Sequence, residues 1–453
     1  MLTGLPVSVH GVCDSQHWNR GPEELELGLP SRGRFLGEYL KEVGYDTAGF
    51  YSWIYLEEKF GLGPGFDTYE RLGLFGWDHP TIKARADAAR ELNDRAEQEA
   101  IGRALKEEHP ELFDMGRPTA QEVIDRSIEW LRAEVAEDDD RPHFLFMHLF
   151  DVHDPYTPPP PFDKLFDPDY TGPIDGRDVT SETSLVHKGM PGRDLEHLIA
   201  LYDGGISWVD SEIGRFLDVL DELGLAEDTL VIITSDHGDE FFEHGRKTHR
   251  KQLYRESVHV PLLLRWPGQL PADTRISEYT GIIDVTPTVL SAVGLPTPPA
   301  SPGTDLARLA DGAEGSGRTL VMELMNFQAG PAPTRRVGLL TPKEHYLFLA
   351  QHPGDPWMVE AYDLEADPLE LSEPAILEVG SPKYDFALSL LDEVRREYSE
   401  RRALADPRDQ VTEPLNASER EQLEALGYTS GEESSSGVDV GRLCIDGCVW
   451  PGG

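Results

Sequence analysis

Residues 202–238 read YDGGISWVDSEIGRFLDVLDELGLAEDTLVIITSDHG, and this stretch decides the fold class. Val209, Ile213, Phe216, Leu220 and Leu223 recur at three- and four-residue spacing, the apolar face of a helix, and Gly224 closes it. The following run, TLVIIT from Thr229, is short, apolar and β-rich, so it reads as a strand. The same order recurs upstream. TAGFYSW follows a helical stretch ending at Gly44, and HFLFMHLF from His143 follows one ending near Glu137. This alternation predicts an α/β fold, a doubly wound and mainly parallel sheet with helices on both faces.

Proline marks the breaks in that pattern. Pro158–Pro161 make a loop after the second of these strands, and Pro296, Pro298, Pro299 and Pro302 make a linker. The α/β domain is therefore assigned to residues 1–300. Short strands such as RRVGLLT and HYLFLA precede helices in residues 301–428, a smaller C-terminal α+β subdomain whose last helix opens on a Ser418/Glu421 capping box. Residues 429–453, with TSGEESSSG, lack apolar periodicity and read as a disordered tail. No internal repeat is present.

The chain has 453 residues, with 83 acidic against 41 basic side chains and a formal charge of −42. Charge of this sign, spread along the chain, excludes nucleic acid as a partner and fits a halophilic source. The three cysteines form no disulfide framework, Cys444 and Cys448 lying together near the end. No run is long and apolar enough for a membrane span, and MLTGLPVSVHGV lacks the pattern of a signal peptide, so a cytoplasmic location is expected. The oligomeric state is not readable from sequence.

Chemistry concentrates at the end of TLVIIT, where Asp236-His237 offers one carboxylate oxygen and one imidazole nitrogen to a metal at the carboxyl end of a strand. His148 and His153 in HLFDVHDPY, with His244 and His249 in EHGRKTHRKQLY, add imidazoles on other stretches of chain. Imidazoles can hydrogen-bond the oxygens of an anionic tetrahedral ester and protonate its leaving alkoxide. Lys247, two residues from His249, can add positive charge for substrate binding. The same residues also fit a turn with a surface histidine, satisfied loop histidines and, for His148, core packing.

Residues 202–268, through SDHG, HGR, a histidine, LY and VPL, resemble the sulfatase family of the alkaline phosphatase superfamily. HLFDVHDPYTPPPPF from His148, Asp284-Val285-Thr286-Pro287-Thr288, YDLEADPLE from Tyr362 and LEALGY from Leu423 resemble it in the same order. The resemblance implies a metal-dependent hydrolase of small sulfate or phosphate esters. Asp236 and His237 would be metal ligands, and His153 and His249 would contact the ester oxyanion or the leaving group; His148, by its imidazole and not by the resemblance, is a candidate for substrate binding. The Asp-His pair replaces the Asp-Asn of many arylsulfatases and occurs in relatives acting on choline sulfate or phosphonate monoesters. Calcium and manganese both remain open as the divalent cation.

The family's nucleophile motif, C-x-P-S-R followed by L-T-G and H-G-V, is matched only in its second half, by Leu2-Thr3-Gly4 and His10-Gly11-Val12. The cysteine that becomes formylglycine is thus expected upstream of Met1, as are the first strand and its paired aspartates. Cys13 cannot stand in. A start assigned too late and a true remnant both fit. The expectation is a sulfuric ester hydrolase in full-length form, with the chain as given inactive. The alternatives are a phosphodiesterase or phosphonate monoester hydrolase, or a non-catalytic protein that keeps the fold.

Overall fold

The helix read at 209–223 runs from Gly192 to Glu222, Gly224 past its end has φ +70°, and the strand after it covers Val231–Thr234. The computed structural model describes residues 1–6, 33–58, 61–74, 76, 79–90, 95–114, 116–137, 140–181, 183–310, 312, 317–326, 334–350 and 356–405. His10-Gly11-Val12, Cys13, the Ser418/Glu421 box, LEALGY, Cys444, Cys448 and residues 429–453 lie outside the described residues. In chain order the elements are α1 (Leu36–Glu42), β1 (Asp46–Tyr51), β2 (Thr68–Arg71), α2 (Pro80–Arg90), α3 (Arg95–Glu108), α4 (Ala120–Ala136), β3 (His143–His148), α5 (Gly192–Glu222) and β4 (Val231–Thr234). There follow β5 (Glu240–Phe241), β6 (Lys247–Thr248), α6 (Arg255–Val258), β7 (Leu262–Arg265), α7 (Val285–Ala292), α8 (Leu306–Ala310), β8 (Leu320–Asn326), β9 (Thr334–Leu340), β10 (Glu344–Ala350), β11 (Met358–Asp363), β12 (Ala375–Ile376) and α9 (Pro382–Leu404). No helix among the described residues is long and apolar enough to cross a membrane.

β1 is the middle strand of a parallel sheet in the order β2-β1-β3, with Asp46 opposite His143 and Tyr51 opposite His148. Side chains alternate across this sheet. Leu145 and Met147 join Phe50 against Ile124 and Trp130 of α4 and Phe216 and Leu220 of α5. Phe144 packs on the other side, with Leu36 and Leu40 of α1 and Leu290 of α7. Burying one such aromatic side chain contributes about 1.5–3 kcal/mol. Helices therefore cover both faces, in three layers.

β4 packs on the same core through Val231, yet its hydrogen bonds run antiparallel to β7, with Val231 opposite Arg265. No ladder joins it to β3 among the described residues. The sheet expected as a single layer is thus a three-stranded parallel piece and a two-stranded antiparallel piece laid on common helices. The connection explains the direction of β7. Residues 235–261 hold only the β5–β6 hairpin and the single turn α6, and no crossover helix carries the chain over the sheet.

The C-terminal part is an antiparallel sheet in the order β12-β11-β10-β9-β8. On one face Val337, Leu339, Tyr346 and Phe348 pack on Tyr384, Ala387 and Leu391 of α9. On the other, Leu347 and Tyr362 meet Leu253 and Tyr254 of the α/β body. Helix α9 begins with Ser381, whose Oγ accepts from the Tyr384 amide at 3.3 Å, and has Pro382 in its first turn, a stable start. Leu2-Thr3-Gly4 docks beside α7. Its Leu2 carbonyl accepts from Leu36 N at 2.7 Å, and the Gly4 carbonyl accepts from Ser301 Oγ at 2.7 Å.

Candidate active site

Strand β4 ends immediately before Ser235-Asp236-His237-Gly238, and the glycine is required by close approach. A Cβ on Gly238 would lie 2.1 Å from the Glu256 carbonyl oxygen, while its amide donates to Ser257 O at 2.9 Å. The loop after β4 is thereby pinned to α6. His237 Nδ1–H donates to the Gly238 carbonyl at 3.0 Å, which leaves Nε2 as the lone-pair nitrogen, 3.7 Å from Asp236 Oδ2. The Asp236 carboxylate is exposed to a cleft of about 1560 Å³ that His237 and His249 also line. Burial of the surrounding site opposes its charge, but the imidazoles of His237 and His148 hold it below the usual carboxylate range.

Two further segments bring histidines to this point. The His237 and His249 rings stack with centroids 4.0 Å apart, and His153 lies 4.7 Å from His249 and 6.2 Å from His237. His153 is held against Phe150, which stacks on Trp53. Its Nδ1 donates to the Asp154 carbonyl at 2.6 Å. His249 donates from Nδ1 to Asp239 Oδ1 at 2.8 Å, and Asp239 Oδ2 accepts from the Tyr156 hydroxyl, also at 2.8 Å. Both imidazoles thus direct Nε2 away from their carboxylate or carbonyl anchors.

The backbone around His249 is strained. Thr248 and Arg250 on either side have φ of 59° and 69°, and a β-branched residue in the left-handed region costs on the order of 1–3 kcal/mol. The Asp239 hydrogen bond and the packing that hold His249 in place offset this cost. Burial lowers its pKa to about 4 in spite of the Asp239 hydrogen bond, and burial lowers that of His153 as well. At neutral pH these buried rings are therefore uncharged. Burial raises Asp154 to about 6.

Asp236, His237, His153 and His249, from three segments, are brought together. His148 ends β3 beside them, its pKa lowered by burial and its Nδ1 buried without a hydrogen-bond partner among the described residues. Lys247 is placed differently. Its ammonium donates to the Val186 carbonyl at 2.6 Å. His244 stacks on Tyr254 with centroids 3.8 Å apart and serves the contact with the C-terminal sheet. Sequence reasoning missed Asp239, Tyr156 and Lys251. Lys251 donates to the Lys247 carbonyl at 3.0 Å, and burial lowers its pKa although Glu240, Asp154 and Asp239 act to raise it. An acidic residue two positions after His237 was the available signal for Asp239; nothing local pointed to Tyr156.

The donors of Asp236 and His237 suit one divalent cation. A carboxylate oxygen and a lone-pair nitrogen 3.7 Å apart span a single ion after small side-chain rotation, and Asp236 is already ionised. His237, Asp239 and His249 also present donor atoms within 4.8 Å of one another, as do His153, Asp154 and His249.

The chain is similar in sequence and in fold to known proteins. A family described as "Sulfatase" matches residues 1–295, and "N-sulphoglucosamine sulphohydrolase, C-terminal" matches residues 243–384. An arylsulfatase of Clostridium perfringens is 27% identical over 286 residues, 59% of this chain and 56% of that protein. A choline-sulfatase of Rhizobium meliloti is 29% identical over 265 residues, 56% of this chain and 50% of the relative. The chain spans about half the length of these relatives. Among solved structures, a phosphonate monoester hydrolase of Agrobacterium radiobacter superposes with TM-score 0.60 at 19% identity, covering 88% of this chain and 85% of the other. A complex with D-glucosamine-2-N,6-O-disulfate as substrate superposes with TM-score 0.59 at 19% identity, over 88% and 87% of the two chains. Because the first of the two matches spans well over half the chain and includes the loop that carries Asp236 and His237, this protein is a member of the sulfatase family.

Proposed function

We propose that the protein acts as a metal-dependent sulfuric ester hydrolase on a small sulfate ester. The observation that carries this reading is the juxtaposition of an ionised Asp236, an Nε2-presenting His237 and two buried, neutral imidazoles at the mouth of one cleft. In this reading Asp236 and His237 hold the cation, calcium or manganese. When bound, the cation supplies charge that polarises the ester oxygens. His249 Nε2 hydrogen-bonds the ester or leaving-group oxygen. An anionic ester entering the cleft favours the imidazolium and so places a proton on Nε2, while Asp239 behind Nδ1 stabilises the charge that forms. His153 sits across the same oxygens, His148 neighbours the Asp236 carboxylate, and Lys247 stays a weaker candidate for substrate contact. The nucleophile in this proposal is a formylglycine, and no C-x-P-S-R that would supply it occurs in residues 1–453. The arylsulfatase and choline-sulfatase among the relatives support the sulfate class, and the charge of −42 supports a salt-adapted protein.

The test is turnover of 4-nitrophenyl sulfate, 4-nitrophenyl phosphate and bis(4-nitrophenyl) phosphate by protein carrying the nucleophile segment. Preference for the sulfate is expected, falling at least about 10³-fold in Asp236→Ala and about 10²-fold or more in His249→Ala. Sulfate turnover that survives both substitutions would overturn the assignment. Faster phosphodiester than sulfate turnover would transfer the site to the phosphonate monoester hydrolase class.

A further inference from the structure

The parallel sheet has a second cluster of metal-ligating side chains at its other end. Asp46 opens β1, His143 opens β3 directly opposite it in the ladder, and Glu134 lies in the last turn of α4. His143 and His148 are five residues apart on one strand, so about 16 Å separates this cluster from the candidate active site. Asp46 O, Glu134 O and His143 N donors all lie within 4.8 Å of one another.

Two polar atoms of this cluster lack hydrogen-bond partners among the described residues. Asp46 is only 7% exposed, and its Oδ2 is buried with no hydrogen bond. His143 Nδ1 is likewise buried and unbonded. Leaving buried polar atoms of this kind unpaired costs stability. The surroundings hold the ligands in place. Arg141 occupies the other Asp46 oxygen, Oδ1, and Trp130 meets the His143 ring edge-on at 5.7 Å. Glu134 is held above its ordinary pKa by burial and by the nearby Asp46 charge, with Glu137 adding to it and His143 and Arg141 opposing. Asp46 and Glu137 add negative charge beside Glu134, against Arg141. A cation between Asp46 and Glu134 would relieve both their repulsion and the two orphaned atoms.

We propose that Asp46, Glu134 and His143 form a second, structural site for a borderline divalent transition metal such as zinc. One imidazole and two carboxylates are the donor set of such an ion rather than of calcium, which takes oxygen alone. Bonds of about 2.1 Å put tetrahedral donors about 3.4 Å apart, so side-chain rotation of roughly an ångström closes the triad. The ion ties the first residues of β1 and β3 to the end of α4, at the edge where the sheet's amino ends meet solvent. It takes no part in ester chemistry, and the proposal stands whether or not the cleft hydrolyses sulfate.

The experiment is zinc stoichiometry by isothermal titration on the full chain after chelator treatment and exchange. It compares wild type with Asp236→Ala, His143→Gln and Glu134→Gln, each checked by circular dichroism. One equivalent of zinc is expected to survive Asp236→Ala and to be lost, or weakened at least tenfold, in both His143→Gln and Glu134→Gln. Glu134→Gln lies on a helix end and tests the site even where a change at His143 disturbs the sheet. Unchanged zinc uptake in Glu134→Gln, or wild-type uptake that Asp236→Ala abolishes completely, would overturn the proposal.

Discussion

Two histidine–carboxylate pairs in this molecule border the same cleft, are nearly identical in their own geometry and differ in the groups they are bonded to. His249 Nδ1 meets Asp239 at 2.8 Å, and His345 Nδ1 meets Glu370 at 2.7 Å. All four residues are buried. Around His249 lie two more imidazoles, a buried tyrosine hydroxyl on Asp239 and the cleft that holds Asp236. Around His345 the contacts tie parts of the chain together. Glu370 accepts from the Arg255 amide at 3.0 Å, its carbonyl accepts from His244 Nε2 at 2.8 Å, and His244 in turn reaches Glu256 at 2.7 Å. The first pair orients a ring toward a site, and the second docks the C-terminal sheet on the α/β body. A buried His–carboxylate contact is therefore no signature of catalysis by itself; the groups packed around the pair decide.

The largest effect expected from this contrast is on turnover. Asp239→Asn keeps the shape of the pair but removes the charge that stabilises a protonated His249. Sulfate hydrolysis by the nucleophile-bearing protein should fall about 10²-fold or more, chiefly in kcat, with stability little changed. A loss confined to KM would place Asp239 outside proton transfer.

Glu370→Gln is the complementary change. It leaves the buried His345 and the docking network without its carboxylate, so urea unfolding should show a loss of about 3 kcal/mol, with kcat within about twofold of wild type. Equal damage to activity and stability in both variants would collapse the distinction between the pairs.

A smaller effect lies in pH. His249 has a folded pKa of about 4, below the ordinary imidazole value near 6.5. Between those values the unfolded chain binds a proton that the folded chain refuses, so this residue's contribution to stability is complete above pH about 6.5 and is lost as pH falls toward 4. Asp154, raised to about 6, acts in the opposite direction, because the folded chain takes up its proton first. Subtracting the stability curve of metal-free His249→Gln from that of metal-free wild type isolates the histidine. The difference should span no more than about 3 kcal/mol across that window. A flat difference would show that His249 is solvated and that the cluster is looser than described.

Much of the site was legible along the chain because its pieces announce themselves locally. Asp236-His237 follows a β-rich run, so its position at a strand end is a matter of period and turn chemistry. The helix before it was marked by residues 209–223, although its start at Gly192 was not, since the buried surface of its first turns is made by His197, Leu198 and Leu201 against the 156–186 loop. The antiparallel return of β7 was illegible for another reason. VPLLLR reads as a strand in either direction, and only its partner settles which.

Local spacing thus determined the composition class, the alternation of helix and strand, and the residue types able to bind a cation beside an ester. The tertiary structure decided which histidine meets which carboxylate. His249 pairs with Asp239 ten residues away, Asp239 is held by Tyr156 from 83 residues away, and Lys247 meets the Val186 carbonyl from 61 residues away. The same is true of Asp46 and His143, neighbours only because β1 and β3 lie side by side. Hydrogen bonds and metal donors act over about 3 Å, whereas sequence periodicity reports only which face a residue occupies, so the partner across a gap is fixed by packing alone.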